Sequence, residues 1–134
     1  MIWPFWQGCW LARGVVVMTK SWLALPGAPG GGYWIKAGAN LNGADLAELD
    51  LKGVSLARSD IRNADLSWAD LSGAWLSGAH LEGADLGGTN LRGAQLDGAH
   101  LKGADLRGAR ADQWTEWPEG FNPDAAGVFF DDVA

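Results

Sequence analysis

The chain has 134 residues, enough for one domain, and 16 acidic against 10 basic residues, for a net charge of −6. That balance disfavours the basic surface that direct nucleic-acid binding needs. The single cysteine, Cys9, excludes an intrachain disulfide and leaves the redox compartment open, and no apolar run is long enough to span a membrane as a helix.

Residues 1–38 read as a Trp-rich N-terminal extension or cap. Five of the nine tryptophans lie here (Trp3, Trp6, Trp10, Trp22 and Trp34), followed or interrupted by a loop at LPGAPGGG, residues 25–32. Tryptophan favours membrane interfaces, yet Arg13 is alone among the first seventeen residues, so the segment lacks the basic face of a surface-seeking helix. It is also a poor signal peptide, with no charge before its apolar stretch. The expectation is that residues 1–17 are a disordered extension or are not translated, Met18 being the start. A cytoplasmic protein is expected, with export or membrane association as the alternative.

From residue 39 a branched aliphatic returns every fifth position. The centres are Leu41, Leu46, Leu51, Leu56, Ile61, Leu66, Leu71, Leu76, Leu81, Leu86, Leu91, Leu96, Leu101 and Leu106. Five helical steps would turn the side chain by about 140°, scattering these residues around an axis. In a flat strand an odd period would alternate them between faces. A unit that bends once per period presents them all to one interior, and stacked turns of such a chain make a solenoid. Alanine stands two places before the centre in ten of the fourteen units. Asp or Asn precedes the centre in nine, and Gly follows it by two in ten. Those are the residues of tight turns.

The tandem A(D/N)LxG pattern, clearest in ANLNG (39–43), ADLSG (69–73) and ADLRG (104–108), resembles the bacterial pentapeptide-repeat proteins. The resemblance implies an all-β solenoid: a right-handed quadrilateral β-helix with four units per coil, here about three and a half coils over residues 39–113. The tail, 114–134, is then a C-terminal capping segment. ARADQWTEWPEGFNPDAAG (109–127) is similar to a closing segment of cyanobacterial members. Asp112, Thr115, Trp117, Pro118, Gly120, Phe121, Pro123 and Gly127 fall on that pattern. Ala111 replaces a large aromatic, and Trp114 is expected to fill the void beneath the cap. Leu49 and Val54, oversized for the inner alanine slot, are expected to pack against an N-terminal plug formed by residues 19–38.

Stacking puts residues twenty apart above one another and creates four outward columns. Asn40, Asp60, His80 and His100 form the first, flanked by an alternating-charge ladder of Asn42, Arg62, Glu82 and Lys102. Asp45, Asp65, Asp85 and Asp105 form the second, Asp50, Asp70 and Asn90 the third, and Ser55, Trp75 and Gln95 the fourth. The four aspartates read first as turn formers, and otherwise as an acidic stripe for a basic partner. His80 and His100 stand one coil apart, but an outward column diverges where a metal needs converging ligands, so no metal is expected. Trp68 takes a Gly slot and Trp75 an Asp slot, and both are expected to point outward on adjacent corners of one coil, as an interaction hot spot would.

No nucleophile–base set, phosphate-binding loop or cysteine cluster is present, and a leucine-filled rod has no deep cleft. An enzyme and a cofactor are therefore not expected. The reading is a non-catalytic structural and interaction module, monomeric, that binds an unidentified protein partner. Trp68, Trp75, Asp45, Asp65, Asp85 and Asp105 are the candidate surface. One alternative, suggested by family members that protect DNA gyrase, is an acidic DNA mimic acting on that type II topoisomerase. Charge argues against it: a rod about 17 Å long would replace about ten phosphate charges, whereas the repeats hold ten acids and six bases, a net of −4. A membrane-associated accessory protein is the further alternative.

Overall fold

The computed structural model describes residues 35–131. Residues 1–34, with most of the Trp-rich extension and the proposed plug, lie outside them. The five-residue unit sets the local structure. In each unit the inner-slot N–H donates to the carbonyl of the preceding centre, as Ala44 does to Leu41 (3.0 Å) and Ala74 to Leu71 (3.0 Å). The residue two places after the centre has positive φ throughout: about 70° at the glycines, and 57–63° at Glu48, Arg58, Asn63 and Trp68. Positive φ at the third position is the signature of a type II turn. Each unit is thus a three-residue extended edge and a tight corner.

Four corners close a circuit. Isolated parallel bridges join Asn40 to Asp60, Asp45 to Asp65, Asp50 to Asp70 and Ser55 to Trp75, and continue upward at the same spacing of twenty residues. The edges are too short to become longer strands. Among the described residues only two strands form, β1 (Arg110–Ala111) and β2 (Phe129–Phe130), paired in parallel with Arg110 opposite Phe129. Among the described residues there is no helix. All fourteen aliphatic centres are buried, as are Ile35 and the inner alanines from Ala39 to Ala99. Leu49 and Val54 are buried at the N-terminal end; what covers them from residues 19–34 is not described. Larger polar side chains in the inner slot find bonds there. Ser59 Oγ accepts from Ala39 N–H and donates to Lys36 O (both 3.1 Å), and Thr89 Oγ1 donates to Leu66 O (2.7 Å).

The tail differs from expectation at Trp114. That residue is 68% exposed, while Ala111 is fully buried. An extra residue enters the circuit here, so Gln95 pairs with Glu116 rather than with residue 115. Thr115 takes the inner slot and donates to Leu91 O (2.9 Å). Asp112 Oδ1 accepts Trp114 N–H (2.9 Å), and the ring faces solvent. Phe130, opposite Ala111 in the parallel pair, extends the column above it. Trp117 and Phe121, with ring centroids 5.3 Å apart, cover the end of the core with Ala126 and Val128. Asp131 ties the tail down through Arg92 and through Arg110 (3.1 Å).

Leu66 lies between Leu46 and Leu86 in the aliphatic pillar, with no exposed surface. Leu66→Ala should lower unfolding free energy by about 2–5 kcal/mol in urea melts. A loss below about 1 kcal/mol would contradict a filled pillar.

Candidate interaction surface

The outward residues are set by the same unit. Each Asp or Asn before a centre accepts the backbone N–H two residues on. Asp45 Oδ1 accepts from Ala47 (3.2 Å), Asp65 from Ser67 (2.9 Å), Asp85 from Gly87 (2.9 Å) and Asp105 from Arg107 (3.0 Å). The column of four aspartates therefore spends one oxygen of each carboxylate on its own corner. Ser67 Oγ adds a second donor to Asp65 (2.6 Å), and Arg107 grips Asp105 with two (2.9 and 2.7 Å). On the first face Arg62 grips Asp60 in the same way, with both contacts at 2.8 Å. The hydrogen bonds from these guanidinium groups hold Asp60 and Asp105 down to about 2, from an ordinary value of 3.8. Arg92 and Arg110 lower Asp131 likewise. Asp60 and Asp105 are thus each paired with an arginine, and Asp45, Asp65 and Asp85 each have one oxygen held by their own corner.

His80 and His100 stack with ring centroids 4.6 Å apart and planes 2° from parallel. Their rings lie face to face rather than converging on a point, and His80 Nδ1 is 3.6 Å from Glu82 Oε1. No group of three or more metal-ligating side chains occurs among the described residues.

The tryptophans are arranged differently from expectation. Trp68 sits at the corner after the second face, with φ 62° and 71% of its surface exposed. Its ring leans over the next coil: a Cβ built on Gly88 would lie 2.6 Å from its Cδ2 and Cε3. Trp75 is not on an adjacent corner. It stands mid-edge on the fourth face, between Ser55 and Gln95, and is 52% exposed. The third face, with Asp70 and Ser72, separates the two. Trp114 was missed as a surface residue. It borders the fourth face at the corner where Asp112 and Thr115 accept Gly93 N–H (3.0 and 3.2 Å). It lies two coils above Trp75, about 10 Å along the axis. Trp75 thus stands on the fourth face and Trp114 at its border with the third, both exposed, and Trp68 stands apart. The readable sign of this was DQWTE, where an Asx turn and one extra residue push a tryptophan out of phase.

A family model described as pentapeptide repeats matches residues 39–78 and 74–110, with eight copies. No curated protein sequence matches the chain. Among solved structures, the chain is 39% identical to a pentapeptide-repeat protein from Nostoc PCC 7120, with a TM-score of 0.55, covering 70% of this chain and 82% of that one. It is 37% identical to the pentapeptide-repeat protein Rfr23 from the cyanobacterium Cyanothece 51142, covering 60% of this chain and 62% of that one, with a TM-score of 0.29. A pentapeptide-repeat protein from the Arabidopsis thaliana thylakoid lumen is 32% identical over 55% of this chain and 62% of its own, with a TM-score of 0.35.

Two outcomes test this surface. Gly53 and Gly88 share a positive φ (67° and 68°), but only Gly88 lies under a ring. Gly53→Ala should cost about 1 kcal/mol, and Gly88→Ala at least about 1 kcal/mol more. In a Trp68→Gly background the difference should vanish from the melts; a persistent gap would refute the ring contact. The second outcome concerns acid. Folding lowers the Asp60 and Asp105 values, so their contribution is fully present above the unfolded value of 3.8 and is lost as pH falls toward 2. The melting temperature of an Arg62→Met/Arg107→Met variant should fall less steeply than wild type across that window. Equal slopes would show that the two pairs do not matter.

Proposed function

The chain belongs to the pentapeptide-repeat family, and on that footing we propose that it is a non-catalytic structural and interaction module, a rod whose fixed outer faces engage a protein partner. A right-handed winding of about three and a half coils, over residues 39–113 with 114–134 as the cap, belongs to the same reading. The observation that carries it is the placement of Trp75 and Trp114, each more than half exposed, on a frame whose interior is already full. Tryptophans held rigid on a regular surface supply large contact area at small entropic cost, which is the make-up of binding hot spots. Trp68 offers a third anchor on another corner.

Mimicry of duplex DNA draws less support. It needs an unbroken negative field, whereas Asp60, Asp105 and Asp131 are each paired with arginine and the other column carboxylates are occupied by their own turns.

Pull-down with the full chain against a Trp75→Ala/Trp114→Ala form tests the proposal. The double variant should lose a captured protein while its melt stays within about 1 kcal/mol of wild type. Capture of the same proteins by both forms would remove the fourth face from consideration. A gyrase supercoiling assay should show no inhibition; inhibition at low micromolar concentration would move mimicry to first place.

A further inference from the structure

The backbone ladder stops on two faces before the chain ends. From Ala39 to Ala94, every inner-slot carbonyl accepts an N–H from the coil above, and from Leu41 to Leu96 every centre donates its N–H upward. Ala99 and Ala104 break the first series, and Leu101 and Leu106 break the second. Among the described residues these two carbonyls accept no backbone N–H, and these two N–H groups find no backbone acceptor. The sequence supplies the cause. After Glu116 and Trp117 the chain meets Pro118, which has no N–H, and turns back so that Phe121 N–H bonds Pro118 O (3.1 Å). No residue of that turn is laid along the His100–Leu101 edge.

An open groove of about 290 Å³ lies between this edge of the first face and the turn. Ala99 and Leu101 line it from the coil, Pro118, Gly120 and Phe121 from the turn, with the exposed Lys102 and Glu119 beside them. That is the low end of ligand-sized clefts. Its polar groups are a main-chain acceptor and a main-chain donor at the spacing of a β edge, and its floor is apolar.

We propose that this edge is a docking slot for an extended segment of a protein partner, added as a parallel strand with the pattern small–polar–aliphatic–acidic. The coil below shows what such a segment looks like. AHLE, residues 79–82, lies along AHLK, residues 99–102. His100 N–H donates to Ala79 O (2.9 Å), Leu81 N–H to His100 O (2.8 Å), and the two imidazoles stack. A segment laid above would donate its polar residue's N–H to Ala99 O, accept Leu101 N–H, and bury its aliphatic side chain against Leu101 and Phe121. Charge sets its last residue. The flanking ladder runs Arg62, Glu82, Lys102, and Lys102 has no ion pair among the described residues. An acid in the next place would complete the alternation.

The proposal rests on the interaction-module reading but uses a different face from the tryptophans. Amide NMR of the full chain, titrated with acetyl-GAHLEGA-amide into the millimolar range, tests it. Saturable shifts are expected at Leu101, Lys102, Gly103, Gly120 and Phe121. Replacing the peptide histidine by proline removes the donor to Ala99 and should abolish them; replacing its glutamate by lysine should weaken binding about two- to five-fold. In the free protein the Leu101 amide should exchange with solvent far faster than that of Leu81. A flat titration, an equal response to the proline peptide, or a protected Leu101 amide would overturn the slot. A flat titration beside a tryptophan-dependent pull-down would overturn the slot alone and leave the interaction reading standing.

Discussion

One backbone conformation recurs and everything else depends on it. Two residues after each centre the chain enters the left-handed region, and it does so at glycine and non-glycine alike. Glycine accepts this freely, whereas Glu48, Arg58, Asn63 and Trp68 each pay about 1 kcal/mol or more. Four such corners bring residue i beside residue i+20, so the amides of one coil meet the carbonyls of the next. The same geometry turns every centre inward. The aliphatic pillar and the hydrogen-bond ladder are two consequences of one turn, repeated.

That arrangement divides the side chains by role before any partner is considered. Inner slots hold alanine, the larger Leu49 and Val54 at the N-terminal end, or a hydroxyl that can bond locally, as Ser59, Thr89 and Thr115 do. The residue before each centre is claimed by the corner when it is Asp or Asn. What remains for contact with other molecules is the minority of outward residues that the fold does not use. Trp75 and Trp114 are of that kind. At the upper end, where proline turns the chain away, main-chain groups are also left over, and these are more directional than any exposed side chain.

The five-residue period made the pillar, the corners and the columns legible in the sequence, because each rests on local chemistry that repeats. Bridges such as Asp45–Asp65 and His80–His100 fall where twenty-residue stacking puts them. The tail was less legible because it abandons the period. Ala111 looked like a void that Trp114 would fill. An extra residue and an Asx turn at Asp112 instead send the ring outward and bring Thr115 in. The separation of Trp68 from Trp75 was also hidden. Both lie in one coil, but one occupies a corner and the other an edge, with a whole face between them. The lean of Trp68 over Gly88 had a visible sign, a tryptophan in a glycine slot with Gly87–Gly88 twenty residues later. The interrupted ladder at Ala99 and Leu101 depends on where Pro118 sends the chain, which spacing does not encode.

The central claim is the stacking of residues twenty apart, and inter-residue proton contacts in solution test it most directly. Nuclear Overhauser effects should link the backbone of Asp65 to that of both Asp45 and Asp85, and the methyls of Leu66 to those of Leu46 and Leu86. A spectrum in which those pairs are silent, and contacts between residues three and four apart dominate, would contradict the account.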